Sequence, residues 1–164
     1  MQLAVSQQCV VRLKPRRALP FFSRHPWVFA GAIADVQGAP GVGAEVRLIS
    51  ADGQFIARGL YNPHSQIRVR LYSWQDEPLG AALWSSRLAR ASSLREKLFP
   101  VEDPARQACR LVFSEGDSLS GLTVDRYGDW LLTQWTSAAL WEHRELLLEL
   151  LWQQWQPQGI WLRT

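Results

Sequence analysis

Cysteine is scarce. Cys9 and Cys109 are the only two in 164 residues, a hundred positions apart. That spacing makes neither a metal pair nor a redox pair. Each is expected as a buried, reduced thiol, which points to the cytoplasm. Neither has the neighbouring histidine or helix N-terminus that would mark a thiolate nucleophile. Histidine is nearly as rare. His25, His64 and His143 are too scattered for a zinc site. No apolar run reaches the roughly 20 residues of a membrane span. Arginine and proline interrupt the first thirty residues, so no signal peptide is read there and no membrane is expected as a partner. The only glycine-rich stretch, Gly41–Gly43, runs into a strand rather than a helix, so it reads as a turn and not a nucleotide loop. Nothing resembles a nucleophile elbow. The acids Glu115, Asp117, Asp125 and Asp129 sit where turns need them, not in a metal-ligating pattern. The sequence therefore offers no catalytic, cofactor-binding or metal-binding residues.

What is present is a protein that should fold. It is 47% hydrophobic and 20% charged, ordinary for a globular chain. Its charge is uneven. Residues 1–75 carry nine Lys/Arg against three acids, and residues 76–164 carry nine against twelve. A net charge of +3 thus hides a basic front half and an acidic back half. A basic half suits phosphate binding, which releases counterions. The alternative is a surface that is merely basic.

The front half reads as short strands over 8–14, 31–37, 44–50, 54–61 and 66–74, separated by turn signals. Asp52-Gly53 is a hairpin signal, expected as a two-residue turn with both residues at positive φ. Five short strands in about seventy residues suggest a small barrel. The back half changes period. Trp84, Leu88, Ala91, Leu94 and Leu98 recur at helical steps, and Phe99-Pro100 ends that helix. Strands are expected over 109–115, 122–128 and 130–136. A second helix should run from Ala138 to Trp155, capped by Thr136 or Ser137. A last strand should run from Gly159 to Thr164. The natural division is a barrel over 1–75 and an α/β unit over 76–164.

The second helix is apolar around much of its circumference, where a one-sided helix needs only about 100°. At least two of Leu140, Trp141, Leu148, Trp152 and Trp155 are therefore expected to be exposed, or covered by a second copy of the chain.

RNA contact is the chemistry the residues support. Alternation over Gln66–Trp74 puts Arg68, Arg70, Tyr72 and Trp74 on one strand face. Guanidiniums grip phosphates, and aromatics stack on unpaired bases. Lys14, Arg16, Arg17, Arg24 and His25 add cationic loop positions. The other reading of this face is that the aromatics are buried and the arginines only solvate it.

Three stretches carry a resemblance: SRHPWVFAGAI (Ser23–Ile33), ARGLYNPHSQIRVRLYSW (Ala57–Trp74) and GDSLSGLTVDRYGDWLLTQ (Gly116–Gln134). In this order and spacing they resemble the front part of the bacterial PUA-containing, S-adenosylmethionine-dependent 23S rRNA (cytosine-5) methyltransferases. The family's third motif usually has Gly and Pro where this chain has Ser118 and Ser120. The resemblance implies an α+β fold: a PUA-like β-barrel, then a small central α/β region. It also implies a C-terminal Rossmann-like methyltransferase domain that is absent from this chain and carries the catalytic cysteine. Neither Cys9 nor Cys109 matches that cysteine. The chain is thus expected to be an N-terminal fragment that docks ribosomal RNA, with S-adenosylmethionine the cofactor of the full-length protein. Rival readings are a free-standing RNA-binding adaptor and a dimerisation module.

Overall fold

The computed structural model describes residues 9–100 and 102–163. Gln8 and Thr164, at the ends of two expected strands, lie outside the described residues. The chain divides into two compact units, one up to Pro78 and one from Leu79.

The first unit is a curled six-stranded sheet. Its strands are β1 (Val10–Leu13), β2 (Trp27–Phe29), β3 (Ile33–Gln37), β4 (Glu45–Ile49), β5 (Phe55–Tyr61) and β6 (Ile67–Ser73), in the order β2-β6-β5-β4-β1-β3. All neighbours are antiparallel except β1 and β4. Alternate residues fill the interior: Val11, Leu13, Val28, Val46, Leu48, Val69 and Leu71 are buried in one apolar cluster. Each such Leu or Val is worth about 1.5–3 kcal/mol when removed from water. Gly59 is required on β5, because a Cβ there would come within 2.5 Å of the Arg70 carbonyl oxygen.

The sequence missed two short elements of this unit. Helix α1 (Leu19–Phe22) and strand β2 have four and three residues, too few to show a period. The hairpin at Asp52-Gly53 is present but of another type. Gly53 has φ +90°, and Asp52 is not at positive φ. The Gly53 N–H donates to the Ser50 carbonyl at 3.1 Å, and the Ser50 N–H to the Gln54 carbonyl at 2.9 Å. This is a three-residue loop closing with a left-handed glycine.

Arg47 on β4 lies directly across from Arg58 on β5, a like-charge pair that costs stability alone. Asp76 bridges both guanidiniums at 2.6 Å, and Glu45 holds Arg58 at 2.7 Å. The hydrogen bond from Arg47 does most to hold the Asp76 carboxyl below its ordinary value; burial opposes it, and the hydrogen bond and charge of Arg58 add to the lowering. A depressed folded-state value adds stability above the unfolded value, and that stability is lost as pH falls through the folded one. The melting temperature is expected to drop as pH falls below about 4, where carboxylates protonate. Asp76→Asn should flatten part of that drop; an identical acid profile in the variant contradicts this.

The second unit is a four-stranded sheet with helices on one face. Its elements are α2 (Ala81–Leu98), β7 (Ala108–Phe113), β8 (Leu122–Tyr127), β9 (Trp130–Trp135), α3 (Ala138–Trp141), α4 (Arg144–Trp155) and β10 (Gly159–Arg163), with strand order β10-β9-β8-β7. Helix α2 buries Leu83, Trp84, Leu88 and Ala91 and ends at Phe99. The Ser137 hydroxyl accepts from the Leu140 N–H and caps α3. Ser118, where the family motif usually has glycine, is at φ +61° and so keeps a glycine-like backbone.

The expected single helix over 138–155 is broken. A turn at Glu142-His143 separates α3 from α4. The break re-aims the apolar residues, and the exposure expected of them is met only in part. Leu140 is fully buried; Trp141, Leu148 and Trp155 are half-buried; Trp152 is 49% exposed. Trp141 meets Trp135 edge-on at 5.5 Å and lies under the Arg144 guanidinium at 5.1 Å.

A candidate RNA interface on the first unit

The candidate cations sit on two backbone devices. Lys14-Pro15-Arg16-Arg17 is a turn closed by the Arg17 N–H on the Lys14 carbonyl at 3.2 Å. Proline occupies its first corner, and Arg16, at φ +62°, occupies the second. A type II turn needs positive φ there and normally takes glycine. The second device ends α1. The His25 N–H donates to the Pro20 carbonyl at 2.9 Å and the Arg24 N–H to the Phe21 carbonyl at 3.0 Å. That is a Schellman cap, with Arg24 at φ +65° in the place usually taken by glycine. Both arginines thus hold a left-handed conformation that is costly for a side chain with a Cβ.

Lys14, Arg16, Arg17, Arg24 and His25 are all exposed. Lys14 donates its ammonium to the Gly31 carbonyl at 2.9 Å. Among the described residues, Arg16, Arg17 and Arg24 have no ion-pair partner. His25 is fixed by its backbone neighbour: its Nδ1 accepts from the Trp27 N–H at 3.2 Å. Its ring meets Phe21 and Trp27 edge-on at 6.3 and 6.2 Å. Arg70 lies across the β2–β6 ladder from Trp27, with its guanidinium 5.7 Å from that ring. One edge of the sheet therefore carries Arg70 and Trp27 beside the Arg24–His25 cap. Trp27 was not singled out in the sequence, because its strand is too short to show alternation.

Two expected site residues stand apart from this group. Tyr72 is 1% exposed, so its ring is not on offer to a base. Leu71, Tyr72 and Ser73 are consecutive and all buried, so this end of β6 is covered on both faces. Arg68 is half-buried and donates through Nη1 to the Pro63 carbonyl, with its Nε buried and unpartnered among the described residues. Trp74 is half-buried too, and its indole N–H donates to the Phe21 carbonyl at 2.6 Å. It braces α1 rather than facing outward.

Of the acids singled out in the sequence, Asp129 accepts from the Gln158 side-chain amide at 3.2 Å, and the other three are also taken up by protein partners. Asp117 pairs with Arg95, Asp125 with Arg110, and Glu115 accepts from the Ser120 hydroxyl. Among the described residues no group of His, Cys, Asp and Glu could hold a metal ion. Neither cysteine is in a disulfide, and both are half-buried, not fully buried as expected. Among the described residues no helix is long and apolar enough to cross a membrane.

The segment that builds this interface matches a known family profile over residues 11–74, described as a PUA-like domain. Residues 11–74 are a PUA-like domain. Most of the chain is also homologous to the N-terminal part of longer proteins. It is 36% identical over 155 residues to the ribosomal RNA large subunit methyltransferase I of Pseudoalteromonas atlantica, covering 94% of this chain and 39% of that protein. It is 36% identical to the Vibrio cholerae protein of the same name, covering 78% of this chain and 32% of that one. The chain thus spans less than two fifths of the length of these relatives. Among solved structures, a protein classed as a SAM-dependent methyltransferase from Streptococcus mutans shares the fold. Its TM-score is 0.79 at 16% identity, over 94% of this chain and 40% of that one. The PUA-like domain, the α+β fold and the sequence kinship therefore agree.

Proposed function

We propose that this chain is the RNA-docking part of an S-adenosylmethionine-dependent rRNA (cytosine-5) methyltransferase, with methyl transfer carried out by a domain outside these residues. The PUA-like domain grips structured ribosomal RNA through phosphates at Lys14, Arg16, Arg17 and Arg24, with His25 and Arg70 beside them. The observation that carries this reading is the placing of Arg16 and Arg24. Glycine would serve both backbone positions better, yet each holds an exposed guanidinium with no protein partner among the described residues. Strain kept at exposed cations is expected where the cation is used. Relatives named as rRNA methyltransferases support ribosomal RNA as the partner.

The cofactor is read as bound elsewhere. Gly41–Gly43 leads into β4, not into a helix, so it gives no helix N-terminus for a nucleotide. The test of docking is RNA binding by anisotropy from low to physiological salt. Affinity should fall steeply, since each neutralised phosphate releases counterions. No binding at low salt, or an affinity indifferent to salt, contradicts the reading.

A further inference from the structure

The sheet of the second unit has two faces of opposite character. Leu122, Val124, Leu131, Thr133 and Trp135 turn to one face and are buried. Directly paired residues share a face, so strand register defines the other. Its first cross-strand row is Ala108, Tyr127, Trp130 and Gly159; its second is Arg110, Asp125, Leu132 and Trp161; its third is Phe113, Thr123, Gln134 and Arg163. Four aromatic rings lie on this face, and all are open to solvent: Tyr127 is 58% exposed, Trp130 45% and Trp161 66%, and Phe113 is comparable. Contiguous exposed apolar area of this kind marks an interaction site.

The rings are arranged, not scattered. A Cβ on Gly159 would come within 2.3 Å of the Trp130 ring, so the missing side chain is what lets that indole lie across β10. Trp130 and Trp161 meet edge-to-face at 6.3 Å and 82°, forming a corner. With Tyr127 and Leu132 they line a shallow apolar cleft of about 470 Å³. The charges on this face favour an anionic partner. Asp125 is neutralised by a two-pronged pair with Arg110, at 2.8 and 3.1 Å. The Arg110 guanidinium also lies 5.4 Å from the Phe113 ring. Arg163 has no ion-pair partner among the described residues.

We infer that this face is a stacking platform for unpaired bases of single-stranded RNA, with Trp161, Trp130 and Tyr127 taking the bases and Arg163 a phosphate. Exposed aromatics on a four-stranded sheet backed by helices are a recurring physical solution to single-strand binding, because every base has a π-face. A second copy of the chain is the weaker occupant. A two-fold interface sets a patch against itself, which would bring Arg163 towards its own copy with no unpaired acid in these rows to answer it. The inference concerns a different unit and a different chemistry from the loop cations, so each can fail without the other.

The test uses the full chain and two probes, a short unstructured oligouridine and an RNA hairpin. Trp161→Ala should weaken oligouridine binding roughly ten-fold or more, the scale of losing one stacked base. It should leave hairpin affinity nearly unchanged, and Trp161→Phe should restore most of the loss. The loop variants Arg16→Gly and Arg24→Gly should show the converse. Tyr127→Ala, at the strand end, carries the test if Trp161→Ala does not fold. Wild-type affinity for oligouridine in both alanine variants overturns the proposal. So does a wild-type dimer that Trp161→Ala dissociates without loss of oligouridine affinity, which would make the face a self-association surface.

Discussion

Replacing Asp117 by alanine is expected to cost about 3–5 kcal/mol of stability, the scale for breaking a buried ion pair by removing one partner. The carboxylate is 7% exposed and fully engaged. It takes two parallel bonds from Arg95, at 2.6 and 2.7 Å, and a third from the Phe113 N–H at 2.6 Å. Arg95 in turn donates its Nε to the Arg110 carbonyl at 3.0 Å. One side chain on α2 is thereby tied to the end of β7 and to the turn that follows it. The alanine variant strands the guanidinium and the Phe113 N–H together. Urea denaturation should show the loss. Asp117→Asn should lose less, since its carbonyl can still accept from Phe113. Replacing both Arg95 and Asp117 by apolar residues of similar size should recover much of it, because a buried pair contributes little net stability beyond a well-packed apolar one. A loss below about 1 kcal/mol for the alanine variant would show that the pair is not holding the unit together.

The second large effect has opposite signs in two assays. Arg16→Gly and Arg24→Gly each place glycine in a left-handed position that suits it. Each should leave stability unchanged or raise it by up to about 1 kcal/mol, the relieved strain being offset in part by the freer unfolded chain. RNA affinity should fall nonetheless, because on the proposed reading each change deletes one cation that contacts a phosphate. At low salt, where such contacts are strongest, the double variant should bind roughly ten-fold or more weakly. A structural role for these arginines predicts the reverse pairing, with stability lost and binding kept.

Much of the fold was legible because it rests on strong local patterns. The alternation along β4 and β6, the Asp52-Gly53 turn that bounds β5, the helical steps from Trp84 to Leu98 and the proline after Phe99 each fix one element with little help from distant contacts. The illegible parts were short or depended on tertiary context. No period shows in the four residues of α1 or the three of β2. The break at Glu142-His143 interrupts a run whose apolar pattern continues through it. Tyr72 is the instructive error in the candidate site. Alternation states which face a residue occupies, but not whether that face is covered, and at this end of β6 both faces are. The loop cations could be named from charge alone. The glycine-type backbone of Arg24 could not, because it follows from hydrogen bonds that close the end of a helix the sequence did not reveal.

The central claim is that Arg16 and Arg24 are phosphate contacts of a PUA-like domain. It is tested most directly by the slope of log affinity against log salt for structured RNA, measured for the wild-type chain and the Arg16→Gly/Arg24→Gly double variant. Each lost phosphate contact should lower the slope by about one, so the double variant should be shallower by about two, with its melting temperature no lower than wild type. Equal slopes in the two proteins would contradict the account.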